Sequence, residues 1–475
     1  MQIYTPKDQE LLFLKTDNIV EQAQRVKLGK IDPKIDTINN IMVIIRNFIK
    51  EKHRIVYGGT ALNELLKKKN KSDAIYSEYD TPDLECYSYE PIDDLHALCN
   101  KLEDAGFAHV EGRQAQHNET YSVFVDFNQW ADITYVPKFI YSRMPVIKMN
   151  GFDYIHPHFM MIDYYRMFND PLSSYRLFSR MVKRFYKLQH AYPFEDTNKS
   201  LIIKSPSDKI KEMLSTVFDY LCDNKDVIVF GYYSYMHLFE SSMLCNKKRN
   251  CAFDIPFYEV LAMDFNKVGN EIYKILREKF KDDKDKISIV EYYAFFQFHG
   301  HIASVMYGDK PLIYIYMSDN KCTPFQLIDA FSPITRKKIN DKKIYLGTYQ
   351  VIFMMTLILF MKAKIQKDKK EETNRGVMLS YLIQARNKYF KDNKKNILDD
   401  TPFKEFIVEC MGDYIPPDRL FRLGIAQKKK ERKRYIYTYD PKDSRQRNAE
   451  VTYKFRNTSG NMVRKIQNRK LILDK

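Results

Sequence analysis

The feature that most constrains this chain is that it repeats itself. Pro33 and Pro206 stand 173 residues apart, and the same offset carries Ile41 onto Leu214, Ile44 onto Val217 and Phe48 onto Leu221. It also carries Ile55-Val56-Tyr57-Gly58 onto Ile228-Val229-Phe230-Gly231. The offset then drifts one way: Pro82 and Glu85 match Pro256 and Glu259 at 174, and Phe159-Met160-Met161 matches Phe353-Met354-Met355 at 194. Any one match arises by chance. An ungapped register followed by monotonic drift reads as an internal duplication, and 475 residues are enough for two or three domains.

The repeated unit has a readable pattern. Ile38, Ile41, Ile45, Phe48 and Ile49 recur at helical spacing. A short strand over 54–57 leads through Gly58-Gly59-Thr60 into a second helix around 61–66, and the lysines of 67–71 read as a loop. A strand over 83–88, a helix over 93–105 and strands over 120–127 and 130–136 follow. Such alternation indicates a mixed α/β domain followed by a degenerate second copy of the same topology, with helical additions.

The copies differ in their polar residues. Gly59-Thr60 becomes Tyr232-Tyr233, Asp83 becomes Phe257, and Asp132 is expected opposite an apolar residue near Leu312. The second copy keeps scaffold residues and loses polar ones, so the contrast marks the polar groups of the first copy as a site. Asp83 and Glu85 are two apart on a strand and point the same way. Paired carboxylates of this kind suit Mg²⁺ or Mn²⁺, and a third carboxylate, Asp132 or Asp126, would complete a two-metal site. Gly58, Gly59 and Thr60 end a strand and open a helix, where backbone N–H groups can hold a phosphate.

The order Gly-Gly-Thr, Asp-x-Glu, Asp resembles the nucleotidyltransferase superfamily. Within it, four segments resemble the poly(A) polymerase catalytic subunits of large cytoplasmic DNA viruses, among them the giant viruses and poxviruses: residues 57–63, 82–85, 131–138 and Ile155-His156-Pro157. The resemblance implies a nucleotidyltransferase-like first domain, Asp83, Glu85 and Asp132 as catalytic ligands of two Mg²⁺ or Mn²⁺ ions, and Gly58, Gly59 and Thr60 as triphosphate contacts. It implies template-independent addition of AMP from ATP to RNA 3′ ends, mRNA polyadenylation, and work in the host cytoplasm at the viral factory, compatible with packaging in the virion. Two rivals stay open: a non-catalytic RNA-binding subunit with a transferase-like fold, and a transferase of different acceptor or base choice. So does the choice between a homodimer and a viral processivity partner.

Charge adds the nucleic-acid side. The net charge is +16, and the 48 residues from Lys428 onward hold +11 of it. Lys428, Lys429, Lys430, Arg432, Lys433 and Arg434 open this tail, interleaved downstream with Tyr435, Tyr437, Tyr439, Tyr453 and Phe455. Cations beside stacking rings are what a single-stranded RNA surface needs. Arg176, Arg180 and Lys183, with Arg166 and Arg184, are expected on one basic helical run facing the triphosphate or RNA. Seven scattered cysteines without a CxxC pair suggest a reducing compartment, and the apolar run 351–361 is too short for a membrane span. The expected organisation is a catalytic domain over 1–200, a degenerate domain over 201–425 and a basic RNA-binding segment over 426–475.

Overall fold

The computed structural model describes residues 3–28, 30, 35–77, 80–242, 244, 253–318, 322–431, 436–450 and 453–467. Arg432, Lys433, Arg434 and Tyr435 lie outside them. The chain divides into two compact units, residues 1–157 with 421–455 and residues 158–420 with 456–475. These bounds differ from the expected divisions at 200 and 425. The helix Pro157–Phe168 already packs with the second unit, Phe159 against Phe298 at 4.8 Å, and the tail is shared between the units.

The first unit holds a sheet of β1 (Ile55–Tyr57), β2 (Leu84–Ser88), β3 (Glu111–Gln114), β4 (Thr120–Val125), β5 (Asn128–Tyr135), β6 (Val146–Met149) and β7 (Phe152–Ile155). A tail strand, Thr438–Tyr439, pairs with the free edge of β3, and the order is tail strand, β3, β4, β5, β2, β1, β7, β6. β1 runs antiparallel to β2 and parallel to β7, while β2 runs parallel to β5. Helices Gly58–Lys69 and Pro91–Asp104 pack on one face, and helix Ile35–Glu51 packs against the latter. That last helix buries Ile38, Ile41, Ile45, Phe48 and Ile49, the five residues at helical spacing. Each is worth about 1.5–3 kcal/mol relative to exposure, which is why the spacing decides the helix's orientation.

The second unit repeats this plan strand for strand. Its sheet comprises β8 (Val227–Phe230), β9 (Tyr258–Ala262), β10 (Ile287–Tyr292), β11 (Ile302–Tyr307), β12 (Lys310–Met317), β13 (Thr323–Phe331) and β14 (Lys338–Gly347). The order β10, β11, β12, β9, β8, β14, β13 matches β3, β4, β5, β2, β1, β7, β6, with the same parallel and antiparallel neighbours. A second tail strand, Met462–Ile466, pairs with β10 as Thr438–Tyr439 pairs with β3. The duplication therefore extends to the edge strands that the tail adds.

Inside the second unit the counterpart of Glu85 is Glu259, and Arg375 grips it with two hydrogen bonds of 2.9 and 2.7 Å. Both side chains are buried. Arg375 also bonds Glu371 at 2.5 Å and lies over the Tyr232 ring. Tyr232 and Tyr233 fill the space of Gly59 and Thr60, accepting from Asn374 Nδ2 at 3.2 Å and donating to the Phe331 carbonyl at 3.1 Å respectively. The strand register places Tyr314, not Leu312, opposite Glu259, as Asp132 is opposite Glu85. The carbon framework is kept, and an internal guanidinium satisfies the one carboxylate left behind.

Four local expectations change. Lys67, Lys68 and Lys69 form the last turn of the helix Gly58–Lys69 rather than a loop, where their charge suits the helix C-terminus. The basic run is broken: Arg176 sits in a 3-10 turn, Tyr175–Leu177, while Arg180, Lys183 and Arg184 lie on the helix Phe178–Ala191. Pro171 opens a short helix between the two longer ones, so Arg176 does not share a helical face with the others. Cys322 and Cys410 form a disulfide joining β13 to a short strand, Cys410–Met411, whereas Cys86, Cys99 and Cys222 are free and buried. The helix Tyr349–Gln366 extends the 351–361 run and is long and apolar enough to cross a membrane, but 78% of it is buried inside the unit as a core helix.

The tail's aromatics are occupied by the first unit. Tyr439 is buried, stacks on His96 with centroids 3.7 Å apart and donates to Asn100 Oδ1 at 2.7 Å. Phe455 stacks on Tyr135 at 3.9 Å, and Tyr453 meets Tyr121 edge-on. Some cations are paired as well, Arg447 with Asp104 at 2.7 Å and Arg464 with the buried Glu291 at 2.7 Å. Of the rings expected to stack on bases, Tyr439 is therefore a buried packing group and Phe455 is half-buried on Tyr135, whereas Tyr453 stays exposed and Tyr435 lies outside the described residues.

Removing one partner of a buried ion pair leaves the other charge unsolvated, at a cost of about 3–5 kcal/mol. Arg375→Ala is expected to lower the stability of the chain by that amount, read as a lower urea midpoint. A loss below about 1 kcal/mol, the worth of an exposed pair, would contradict this role.

Candidate active site

The site is built on the junction of β1, β2 and β5. Tyr57 ends β1 opposite Glu85, and Glu85 is in register with Asp132 across the parallel β2–β5 pair. Residues paired this way share a sheet face. Asp83 precedes β2 by one residue and is two positions from Glu85. Asp126 lies in the turn between β4 and β5 at φ 49°, off this register. The hairpin puts Ser122 opposite Asp132 instead.

The turn that opens the helix Gly58–Lys69 is fitted to Glu85. Gly58 has φ +70°, a conformation L side chains rarely adopt, and a Cβ there would fall 1.6 Å from Glu85 Oε2. Gly59 N–H donates to that same oxygen at 3.0 Å, so the turn already holds an anionic oxygen. A Cβ on Gly59 would fall 2.1 Å from the Tyr76 hydroxyl. Thr60 Oγ1 donates to the Asp83 carbonyl at 3.1 Å, tying the helix to the start of β2.

Asp132 is held by Ser122 Oγ, which donates to its Oδ1 at 2.6 Å, and by Gln129 Nε2 at 2.9 Å. Burial pushes its carboxyl above the usual range and the charge of Asp83 adds to the rise, while Ser122, His117 and Gln129 oppose it. Two carboxylates thus crowd one another in a half-buried site, and both acceptor bonds to Asp132 fall on a single oxygen. Below them Tyr57 stacks on Tyr87 with centroids 4.0 Å apart, and its hydroxyl bonds Thr134 Oγ1 at 2.7 Å.

Among the described residues no three His, Cys, Asp or Glu side chains are already gathered as a metal cluster. The donors fit a hard divalent ion all the same: they are all oxygens, and the mutual repulsion of Asp83 and Asp132 is what a cation would relieve. Arg176, Arg180 and Lys183 belong to the second unit, and Lys428, Lys429 and Lys430 end the helix Pro417–Lys430. Ser122, Gln129, Tyr57 and Thr134 were not singled out from the sequence. Ser122 was out of reach, since closing the expected strands 120–127 and 130–136 with a two-residue turn puts Val125 opposite Asp132; the observed turn at Asp126 and Phe127, with a bulge after Val123, brings Ser122 there instead.

Known proteins resemble this chain over nearly its whole length. A family model described as "Poly(A) polymerase catalytic subunit" matches residues 43–174, and one for the C-terminal part of a mimivirus poly(A) polymerase catalytic subunit matches 187–474. A protein of Acanthamoeba polyphaga mimivirus named as a poly(A) polymerase catalytic subunit is 34% identical over 97% of this chain and 83% of its own. A similarly named protein of African swine fever virus (strain Badajoz 1971 Vero-adapted) is 28% identical over 38% of this chain and 39% of its own. The crystal structure of the Megavirus polyadenylate synthase superposes with a TM-score of 0.87 at 34% identity, covering 98% of this chain and 93% of that one.

The geometry of the turn is directly testable. Gly59→Ala should destabilise the chain by about 1–3 kcal/mol, the usual cost of overpacking. Adding Tyr76→Phe, which removes the hydroxyl it meets, should restore most of the melting temperature. Equal melting of single and double variants would place the strain elsewhere.

Proposed function

The chain belongs to the family of viral poly(A) polymerase catalytic subunits, and from that premise we propose that it extends mRNA 3′ ends with AMP drawn from ATP at the Asp83, Glu85 and Asp132 site. The observation that carries the site assignment is the cross-strand pair Glu85–Asp132 beside the Gly58-Gly59 turn. In the reaction the RNA 3′-hydroxyl oxygen bonds the α-phosphorus of ATP in line, and the bond to the β-phosphate oxygen breaks to release pyrophosphate. We assign Asp83, Glu85 and Asp132 as the residues that hold two Mg²⁺ or Mn²⁺ ions. Such ions, when bound, favour ionisation of the attacking hydroxyl and neutralise the leaving pyrophosphate.

The chain's own residues supply position. Ser122 and Gln129 both hold Asp132 by its Oδ1. We keep Gly58, Gly59 and Thr60, at the helix start, as candidate triphosphate contacts; the Gly59 N–H and the Thr60 hydroxyl already bond Glu85 and the Asp83 carbonyl, so a phosphate oxygen would take over these donors. The Tyr57–Tyr87 stack lies close to Glu85: burial raises the pKa of the Tyr57 hydroxyl, and the charge of Glu85 adds to the rise. Fixed dipoles and charges of this kind stabilise a phosphoryl transition state without reorganising.

We keep Arg176, Arg180 and Lys183 as candidate contacts for the triphosphate or RNA, and Lys428, Lys429 and Lys430 as RNA contacts, on their charge. A homodimer or a separate processivity partner fits this reading equally. We also propose the host cytoplasm as the place of action, on the three buried free thiols. The Cys322–Cys410 bond argues against it, because disulfides are rare in reducing compartments. A thiol count on protein recovered from infected cells decides the point.

Asp83→Ala, Glu85→Ala and Asp132→Ala should each lower AMP addition to a short RNA by at least about 10²–10³-fold, with melting and RNA affinity unchanged. Asp126→Ala should remain active, and a dead Asp126→Ala beside an active Asp132→Ala would move the third ligand. For the tail, deleting 428–475 should unfold the chain, since both sheets lose an edge strand. Replacing Lys428, Lys429 and Lys430 by Gln tests charge alone. It should flatten the salt dependence of RNA binding by up to about 2 in log–log slope, at about 0.7 per phosphate on a single strand. An unchanged slope would remove these lysines from the RNA surface.

A further inference from the structure

The first unit has a cavity of about 300 Å³ that shares only Thr60 with the residues assigned to the reaction. It opens on the sheet face opposite the carboxylates. Val56 pairs with Cys86 across β1–β2 and with Tyr154 across β1–β7, and Leu84 is two residues from Cys86. These side chains therefore share one face, and Tyr57 and Glu85 take the other. Val56 and Leu84 are buried floor residues, and Phe152 and Tyr154 form an aromatic wall.

The rim is cationic. Arg46 and Lys50 stand four residues apart on the helix Ile35–Glu51, hence on one side of it. Neither has an ion-pair partner among the described residues, and Lys50 Nζ lies 4.6 Å from the centroid of the Phe152 ring. Lys67, also at the rim, is already bonded at 3.1 Å to Glu64, the one carboxylate that lines the cavity among the described residues. Burial pushes the Tyr154 hydroxyl up to about 12, with Glu64 adding to the rise and Arg46 opposing it, so the Arg46 charge is felt inside the cavity.

An apolar floor with an aromatic wall accepts a planar base, and two uncompensated cations above it accept a phosphate. The volume is at the small end of ligand sites and suits one such group. We propose that this cavity is a second nucleotide-binding site, one base and one phosphate in size, on the reverse face of the catalytic sheet. A free nucleotide and a nucleotide of the RNA strand share this chemistry. Either occupant touches the back of the catalytic strand, because Leu84 lies between Asp83 and Glu85, and Thr60, which also lines the cavity, bonds the Asp83 carbonyl.

The test is photo-crosslinking of the full chain with 8-azido-ATP, and separately with an oligo(A) carrying 8-azidoadenosine, followed by peptide mapping. Labelling of the peptide that contains Phe152 and Tyr154 is expected. It should fall at least about tenfold, or about 1.4 kcal/mol, in Arg46→Glu combined with Lys50→Glu. Both side chains are exposed, so the fold should survive, and a thermal melt checks this; if the pair unfolds, Lys50→Gln alone should still reduce the label. Labelling by 8-azido-ATP alone assigns the free nucleotide, and labelling by the oligonucleotide alone assigns the RNA strand. No label in this peptide from either probe, or a label indifferent to the rim charges, overturns the proposal.

Discussion

The structure depends on a contact between a glycine and a carboxylate. Gly58 has no Cβ and a positive φ, so Glu85 can lie against its backbone and accept the next N–H. That contact fits the antiparallel register of β1 on β2 and the start of the helix Gly58–Lys69, while the parallel β2–β5 pairing brings Glu85 level with Asp132. The same contact recurs in the second unit, where Gly231 has φ +75° and a Cβ would fall 2.0 Å from Glu259 Oε2. It is a property of the scaffold before it is a property of the active site.

The two copies part in how they neutralise that carboxylate. Burying an anion is costly unless it is paired. In the second unit Arg375 provides a permanent, bidentate partner, and Tyr232 and Tyr233 close the space above it. In the first unit Asp83 and Asp132 are left to repel one another, with a glycine and a threonine where the tyrosines would be. Among the described residues no Lys or Arg is bonded to Asp83 or Asp132, so the pair is open to an exchangeable cation, and that difference makes one copy a candidate for catalysis and the other a scaffold.

Much of this was legible because it is local and periodic. The buried face of the helix Ile35–Glu51, the strand ending at Tyr57 and the Asp-x-Glu strand all follow from spacing within a few residues. Asp132's counterpart was misplaced by two residues, from Tyr314 to Leu312, because the drift between copies had to be interpolated across unequal loops. A two-residue slip keeps the sheet face and loses the partner. Arg375 was invisible because it reaches Glu259 from 116 residues away. The tail strands were invisible for a similar reason. Thr438–Tyr439 and Met462–Ile466 take their pairing from edges far back in the chain, and a basic, aromatic composition does not distinguish a ring packed on the body from one free to stack on RNA.

The proposed site requires that divalent ions bind in the first copy and not in the second. Titration of the full chain with Mn²⁺, followed by the loss of the free-ion EPR signal, measures this without any nucleotide turnover. Binding should disappear in Asp83→Ala combined with Asp132→Ala and persist in Glu259→Gln. Mn²⁺ binding that survives the first change, or that is lost with the second, would contradict the account.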